Sequence, residues 1–106
     1  MRNFVIKSDA NGDFPTWLSR QSDYIDSKIL AAGVARSVTV PSDAGKVFFS
    51  CTGNYYVNPR GTATVPGDIA DGSSSEFNPA GYIVSPGEVI SIISSAACVI
   101  TIAYYR

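Results

Sequence analysis

From Val34 onward the chain alternates. Val34, Val38 and Val40 trade places with Ala35, Ser37 and Thr39, the two-residue period of a half-buried strand. Arg36 falls on the apolar side of this run, so it is expected near a strand end. Pro41-Ser42-Asp43-Ala44-Gly45 breaks the strand, and Lys46 to Cys51 starts another with Val47, Phe49 and Cys51 on one face. After a turn at Thr52-Gly53-Asn54 comes a third strand, Tyr55-Tyr56-Val57. Asn58-Pro59-Arg60-Gly61 places proline second and glycine fourth, as a type I turn prefers. Thr62 to Val65 reads as a short edge strand. Residues 66–81 form a long polar stretch, and loops of that length in a compact domain are often functional. Strands return at Tyr82-Ile83-Val84, Glu88 to Ser94 and Ala97 to Tyr105, with a turn at Ser85-Pro86-Gly87.

Short strands between Gly/Pro turns are the signature of a sandwich or barrel. The fold class expected is therefore all-β: one small β-sandwich or jelly-roll-like barrel over residues 34–106. Its last strand has an unusual second side. Cys98, Ile100, Ile102 and Tyr104 make one face, while Ala97, Val99, Thr101, Ala103 and Tyr105 make the other. A water-facing side is normally polar, yet this one carries no charge. The strand at 89–93 repeats the excess, with Val89 and Ile93 opposite Ile90 and Ile92. Either the N-terminal segment or another subunit is expected to cover these positions. Val89, Ile93, Val99, Thr101, Ala103 and Tyr105 are thus the candidate subunit interface.

Residues 1–33 differ in kind and read as an N-terminal arm. They hold 8 of the 17 charged residues. Trp17, Gln21, Tyr24 and Lys28 fall at helix-like spacing with Ile25 and Ile29 beside them, so a short helix within 16–32, ended by Gly33, is one expectation. The other is an extended arm anchored by Phe4, Phe14, Trp17 and Tyr24, either folded back on its own domain or gripping a neighbour.

Composition narrows the function more than it defines it. The chain has 106 residues, 45% apolar and 16% charged, with a net charge of −1, and a phosphate-contacting nucleic-acid binder is normally far more basic. The absence of histidine removes the Ser-His-Asp triad, the Cys-His pair and His-ligated metals. Phe4-Val5-Ile6 is too short for the apolar core of a signal peptide, which needs about 7–15 residues, and no apolar run reaches the about 20 residues of a membrane-spanning helix. Synthesis in a cytoplasm, with the product staying there or leaving inside something else, is therefore expected. Cys51 and Cys98 lie in apolar strand patterns and read as buried thiols, with a bridge open if the strands are neighbours. Asp68, Asp71, Glu76 and the serines between them lack calcium-loop spacing and read as a solvated turn. Glu76 and Glu88 give no sign of the geometry a glycosidase pair needs. No cofactor is expected. Tyr55, Tyr56 and Tyr82 are the aromatic residues suited to stacking on a sugar, with the 66–81 loop as a rim.

Taken together, several segments resemble small virion proteins of tailed bacteriophages. They are Ala35-Arg36-Ser37-Val38-Thr39-Val40-Pro41, the strands Val47-Phe48-Phe49-Ser50 and Asn54-Tyr55-Tyr56-Val57, and Ala63-Thr64-Val65-Pro66. The pattern continues with Asp71-Gly72-Ser73-Ser74-Ser75-Glu76, Asn78-Pro79-Ala80-Gly81, Ile90-Ser91-Ile92-Ile93 and Val99 to Tyr105, and leaves out the N-terminal third. The resemblance implies a sandwich or jelly roll, commonly trimeric, that decorates or cements a capsid or forms a fibre base, with no catalytic residues. It implies the major capsid protein and further copies of this chain as partners, and the virion surface as location. In that setting Phe4, Phe14, Trp17 and Tyr24 would grip the shell, and Asp68, Asp71, Glu76 and Phe77 would make loop contacts. Deleting residues 1–33 is then expected to leave a folded β domain with weakened shell binding. The competing expectations are a carbohydrate-binding module, a low-copy tail or head–tail connector part, and, last, a small carboxylate hydrolase.

Overall fold

The computed structural model of the chain describes Met1 and residues 22–106. Among the described residues the regular structure is eight strands: β1 (Tyr24–Leu30), β2 (Arg36–Thr39), β3 (Lys46–Cys51), β4 (Tyr56–Asn58), β5 (Glu76–Phe77), β6 (Gly81–Ile83), β7 (Val89–Ile93) and β8 (Cys98–Tyr105). They build two four-stranded antiparallel sheets, ordered β1-β8-β3-β6 and β2-β7-β4-β5. The pairs are nested. β4 binds β5, β3 binds β6, β2 binds β7 and β1 binds β8, while β8 also flanks β3 and β7 also flanks β4. Eight strands nested in this way, in two antiparallel sheets, form a jelly roll.

Alternation builds the core. Leu30, Val47, Phe49, Ile100, Ile102 and Tyr104 from the first sheet meet Val38, Val57, Ile90 and Ile92 from the second. The register keeps them in phase, with Val47 opposite Tyr104 and Phe49 opposite Ile102, so a one-residue slip would turn a whole row outward. At β6 the chain needs glycine, because a Cβ on Gly81 would run into the carbonyl oxygen of Val47.

Three local expectations are corrected. No helix forms in the described part of 16–32. Tyr24 to Leu30 instead pairs residue for residue with β8, and only Leu30 is fully buried. The helical spacing was a coincidence of Tyr24 and Lys28, which share a strand face equally well. Gly33 does occupy a left-handed position, with φ 70°, but in the turn between β1 and β2, where its N–H donates to the Ser94 carbonyl at 2.8 Å. Thr62 to Val65 is not a strand. The Ala63 N–H donates to Ser91 Oγ at 2.9 Å and the Thr64 N–H to Ser75 Oγ at 3.2 Å, so side chains satisfy the backbone that a ladder would have used. The polar stretch 66–81 contains β5 and the first residue of β6. Val34 precedes β2 and is exposed, and Arg36 opens that strand as anticipated.

Tyr104 is fully buried, and its ring meets Tyr24 edge-on at 5.6 Å. Its hydroxyl is buried without a hydrogen-bond partner among the described residues. Burial, helped by the charge of Asp26, pushes its pKa from the ordinary 10.0 up to about 12. The neutral phenol is thus favoured in the fold, and this contribution holds below pH 10 and is lost as pH rises through about 12. Tyr104→Phe removes a polar group that folding desolvates without compensation. It should raise stability by about 1 kcal/mol, read as a higher urea midpoint at unchanged slope. A lower midpoint would mean that the hydroxyl is bonded.

Candidate functional site

Strand parity divides the six interface candidates between opposite sides of the molecule. On β8 the inward residues are Cys98, Ile100, Ile102 and Tyr104, so Val99, Thr101, Ala103 and Tyr105 lie on the outer face of the first sheet. On β7 the inward residues are Ile90 and Ile92, which puts Val89 and Ile93 on the outer face of the second sheet. No single patch holds all six. Ile93 is buried where β4 pairs it with Tyr56, and Ser91 beside it is buried under Ala63. Part of the second sheet's outer side is therefore covered by its own chain, and Val89 remains exposed at the end of β7. Tyr105 is also buried, with Phe48 edge-on to it at 5.6 Å.

The first sheet has the larger open apolar face. The β1–β8 register sets Ile25 beside Ala103, Ser27 beside Thr101 and Ile29 beside Val99. Ile29 leaves 70% of its surface exposed and Ile25 47%. At the far edge, Ile83 on β6 leaves 88% exposed. The strand positions sharing this face include a single charged residue, Lys46. Sequence reasoning missed Ile25, Ile29 and Ile83. Ile25 and Ile29 were counted as helix residues, and Ile83 sits in a strand too short to show a period.

The arm candidates part company. Phe4, Phe14 and Trp17 lie outside the described residues. Tyr24 begins β1 as a strand residue, and the preceding Ser22 hydroxyl donates to the Tyr104 carbonyl at 2.6 Å.

The loop candidates are spread as well. Asp68 is exposed. Asp71 folds an Asx turn, accepting from the Ser73 hydroxyl at 2.6 Å and the Ser73 N–H at 3.0 Å, which holds its carboxyl below the usual carboxylate range. Glu76 and Phe77 are not loop residues but form β5. Phe77 packs on Tyr56 at 5.2 Å. Glu76 accepts a hydrogen bond from the Tyr82 hydroxyl and so ties the edges of the two sheets together. Burial, then this carboxylate, raises the Tyr82 pKa.

The three tyrosines do not make a platform. Tyr55 is buried and donates to the Pro79 carbonyl. Tyr82 and Tyr55 both contact Phe49, at 5.9 and 6.0 Å between ring centres, as part of the core edge. Tyr56 points to the other side of β4, against Phe77. The polar concavity lies nearby instead. Asn58, Arg60, Gly61, Asp71, Gly72 and Ser73 line an open cleft of about 240 Å³. Asn58 shapes it by accepting from the N–H groups of Arg60 and Gly61 at 3.0 and 3.1 Å, and Arg60 reaches the Gly72 carbonyl at 3.2 Å.

Cys51 and Cys98 are free thiols with sulfurs 3.2 Å apart. Burial pushes the Cys51 thiol up, away from the reactive thiolate. No cluster of three or more metal-ligating side chains occurs among the described residues.

Comparison with protein-family models, with curated proteins and with solved structures finds no match to this chain.

Proposed function

We propose that this chain is a structural virion protein of a tailed phage, a decoration or cement protein that assembles as a trimer on the major capsid protein. The observation that carries the reading is the open apolar face of the first sheet on a jelly roll. Jelly rolls occur among capsid and lectin domains, and since a fold alone does not fix a function, the face decides the emphasis. Ile25, Ile29, Val99 and Ala103 form a band whose neighbours include almost no charge, and exposed apolar surface of this kind marks an interaction site. Three copies packed through this face, seated where capsid subunits meet, would bind the assembled shell but not its free parts. Binding of that kind stabilises the assembled state by mass action, and a trimer engages several subunits at once, so weak contacts sum.

A carbohydrate-binding module is the second reading. It now rests on the polar cleft around Asn58, Arg60 and Asp71 rather than on the tyrosines. Quantitative mass spectrometry of purified particles, against the major capsid protein, separates the readings. Hundreds of copies per particle are expected. A handful would place the protein in a tail, connector or fibre and favour glycan binding, and none would overturn the virion reading.

A further inference from the structure

We propose that β1 is a self-pairing edge: two copies of this chain join antiparallel along Tyr24–Leu30 about a two-fold axis through Ser27. The partner is a second copy, and the inference goes beyond the shell reading without resting on it.

Hydrogen-bond direction provides the first argument. Among the described residues β1 is an edge strand, bonded on one side to β8. The Thr52 N–H donates to the Val99 carbonyl at 3.0 Å, on the β3 side of β8. Backbone groups alternate in direction along a strand, so those of Ile100, Ile102 and Tyr104 point toward β1. The Ser22 hydroxyl bound to the Tyr104 carbonyl agrees. Lys28 and Asp26, which face Ile100 and Ile102, therefore spend their backbone groups on β8, while the Tyr24 N–H donates at 3.1 Å to Ser22 Oγ, which bridges it to the Tyr104 carbonyl. Ile25, Ser27 and Ile29 turn theirs to the open edge. The Ile29 carbonyl meets the Arg36 guanidinium at 3.1 Å, and a carbonyl oxygen accepts two bonds, so a ladder can form without displacing it.

The sequence of the edge provides the second. Tyr24-Ile25-Asp26-Ser27-Lys28-Ile29-Leu30 complements its own reverse. Under the two-fold, Ser27 opposes Ser27, Ile25 opposes Ile29, Tyr24 opposes Leu30 and Asp26 opposes Lys28. Each contact occurs twice, as an isologous interface requires. Ile25, Ser27 and Ile29 take the hydrogen-bonded positions. Asp26 and Lys28 fall at the other positions, where facing Cα atoms approach to about 4.5 Å and side chains interact most closely. Charges on an edge strand ordinarily repel a second strand. Here they select one. A two-residue shift either way sets Asp26 against Asp26 or Lys28 against Lys28, which specifies register by repulsion as well as attraction. Neither charge has an ion-pair partner among the described residues. The joined copies would share one continuous sheet, with Ile25 and Ile29 extending the apolar face across the seam. Strand addition of this kind draws its affinity from main-chain hydrogen bonds.

The test is the solution mass of the full chain by analytical ultracentrifugation, from micromolar to millimolar concentration, in reducing buffer. A two-fold contact doubles whatever the other contacts build, a monomer to a dimer or a trimer to a hexamer. Asp26→Lys places like charges opposite one another twice per pair and should weaken the doubling about tenfold or more. Lys28→Asp should do the same. The double variant Asp26→Lys/Lys28→Asp restores complementarity and should return association to within about threefold of the original. Circular dichroism of each variant checks that the domain is folded. Equal masses for the original chain and the folded single variants would overturn the edge pairing, as would a double variant that stays dissociated. A trimer untouched by the swaps would overturn it while leaving the shell reading intact. Doubling without any copies on particles would overturn only the shell reading.

Discussion

A chain lacking residues 1–33 should show no cooperative thermal transition, whereas one lacking only residues 2–21 should unfold as a single unit. The shorter deletion keeps every contact described between β1 and the rest of the domain. The longer one removes a whole strand from the first sheet. It strips the seven-residue ladder along β8 and takes Leu30, fully buried, out of the core. Losing a buried leucine side chain alone costs about 2–5 kcal/mol. The bared edge of β8 then loses the partners of its backbone groups, at about 1 kcal/mol for each hydrogen bond. Against a total stability of about 5–15 kcal/mol for a domain, that sum removes most or all of it. The sequence reading of 1–33 as an arm leads to the opposite expectation, a folded remainder. Cooperative melting of the 34–106 fragment would show that β1 is dispensable after all.

Mild oxidation should have the second large effect. The Cys51 and Cys98 sulfurs are 3.2 Å apart, and a diamide-type oxidant would take two electrons and two protons from the thiols as the S–S bond forms. The closed loop spans 47 positions, for which the chain-entropy relation gives about 4 kcal/mol of stabilisation. For a domain of this size each kcal/mol is worth about 4–8 °C in Tm, so the oxidised form should melt many degrees higher. Because burial raises the Cys51 thiol pKa, closure should be slow at neutral pH and accelerate in alkali, where the attacking thiolate is populated. Thiol titration before and after treatment, paired with melting curves, checks this. Thiols that remain free, or a bridge that leaves Tm unchanged, would count against it. In a reducing compartment the pair stays as thiols.

Much of the fold was legible because alternation survives wherever one side of a strand is buried. Val47 and Phe49, Ile90 and Ile92, and Cys98, Ile100, Ile102 and Tyr104 all face inward as their spacing indicated. β1 was not legible. It is an edge strand whose residues are mostly exposed or half-buried, so no apolar row distinguished it from a thin helical stripe. β5 and β6 have two and three residues, too few for any period. Thr62 to Val65 has strand-like composition, but its backbone is satisfied by the hydroxyls of Ser91 and Ser75, which a local reading cannot see. The site was less legible than the fold. Knowing which side of a strand is apolar does not tell which sheet the strand joins, and the separation of Val89 and Ile93 from Val99, Thr101 and Ala103 follows only from the sheet order. The tyrosines misled for a similar reason. Adjacent Tyr55 and Tyr56 point to opposite sides, and the Tyr55 and Tyr82 hydroxyls are engaged within the domain.

The central place of β8 in its sheet bears on the protein's birth. It is flanked by β1 and β3, and Tyr24 waits for Tyr104, eighty positions later. A ribosome that has already released β1 and β3 has delivered two strands with no common neighbour. β3 can take up β6 first, but β1 has no strand partner among the described residues until β8 has emerged, so until then the nascent chain carries β1 in the care of whatever shields exposed strands in the cell.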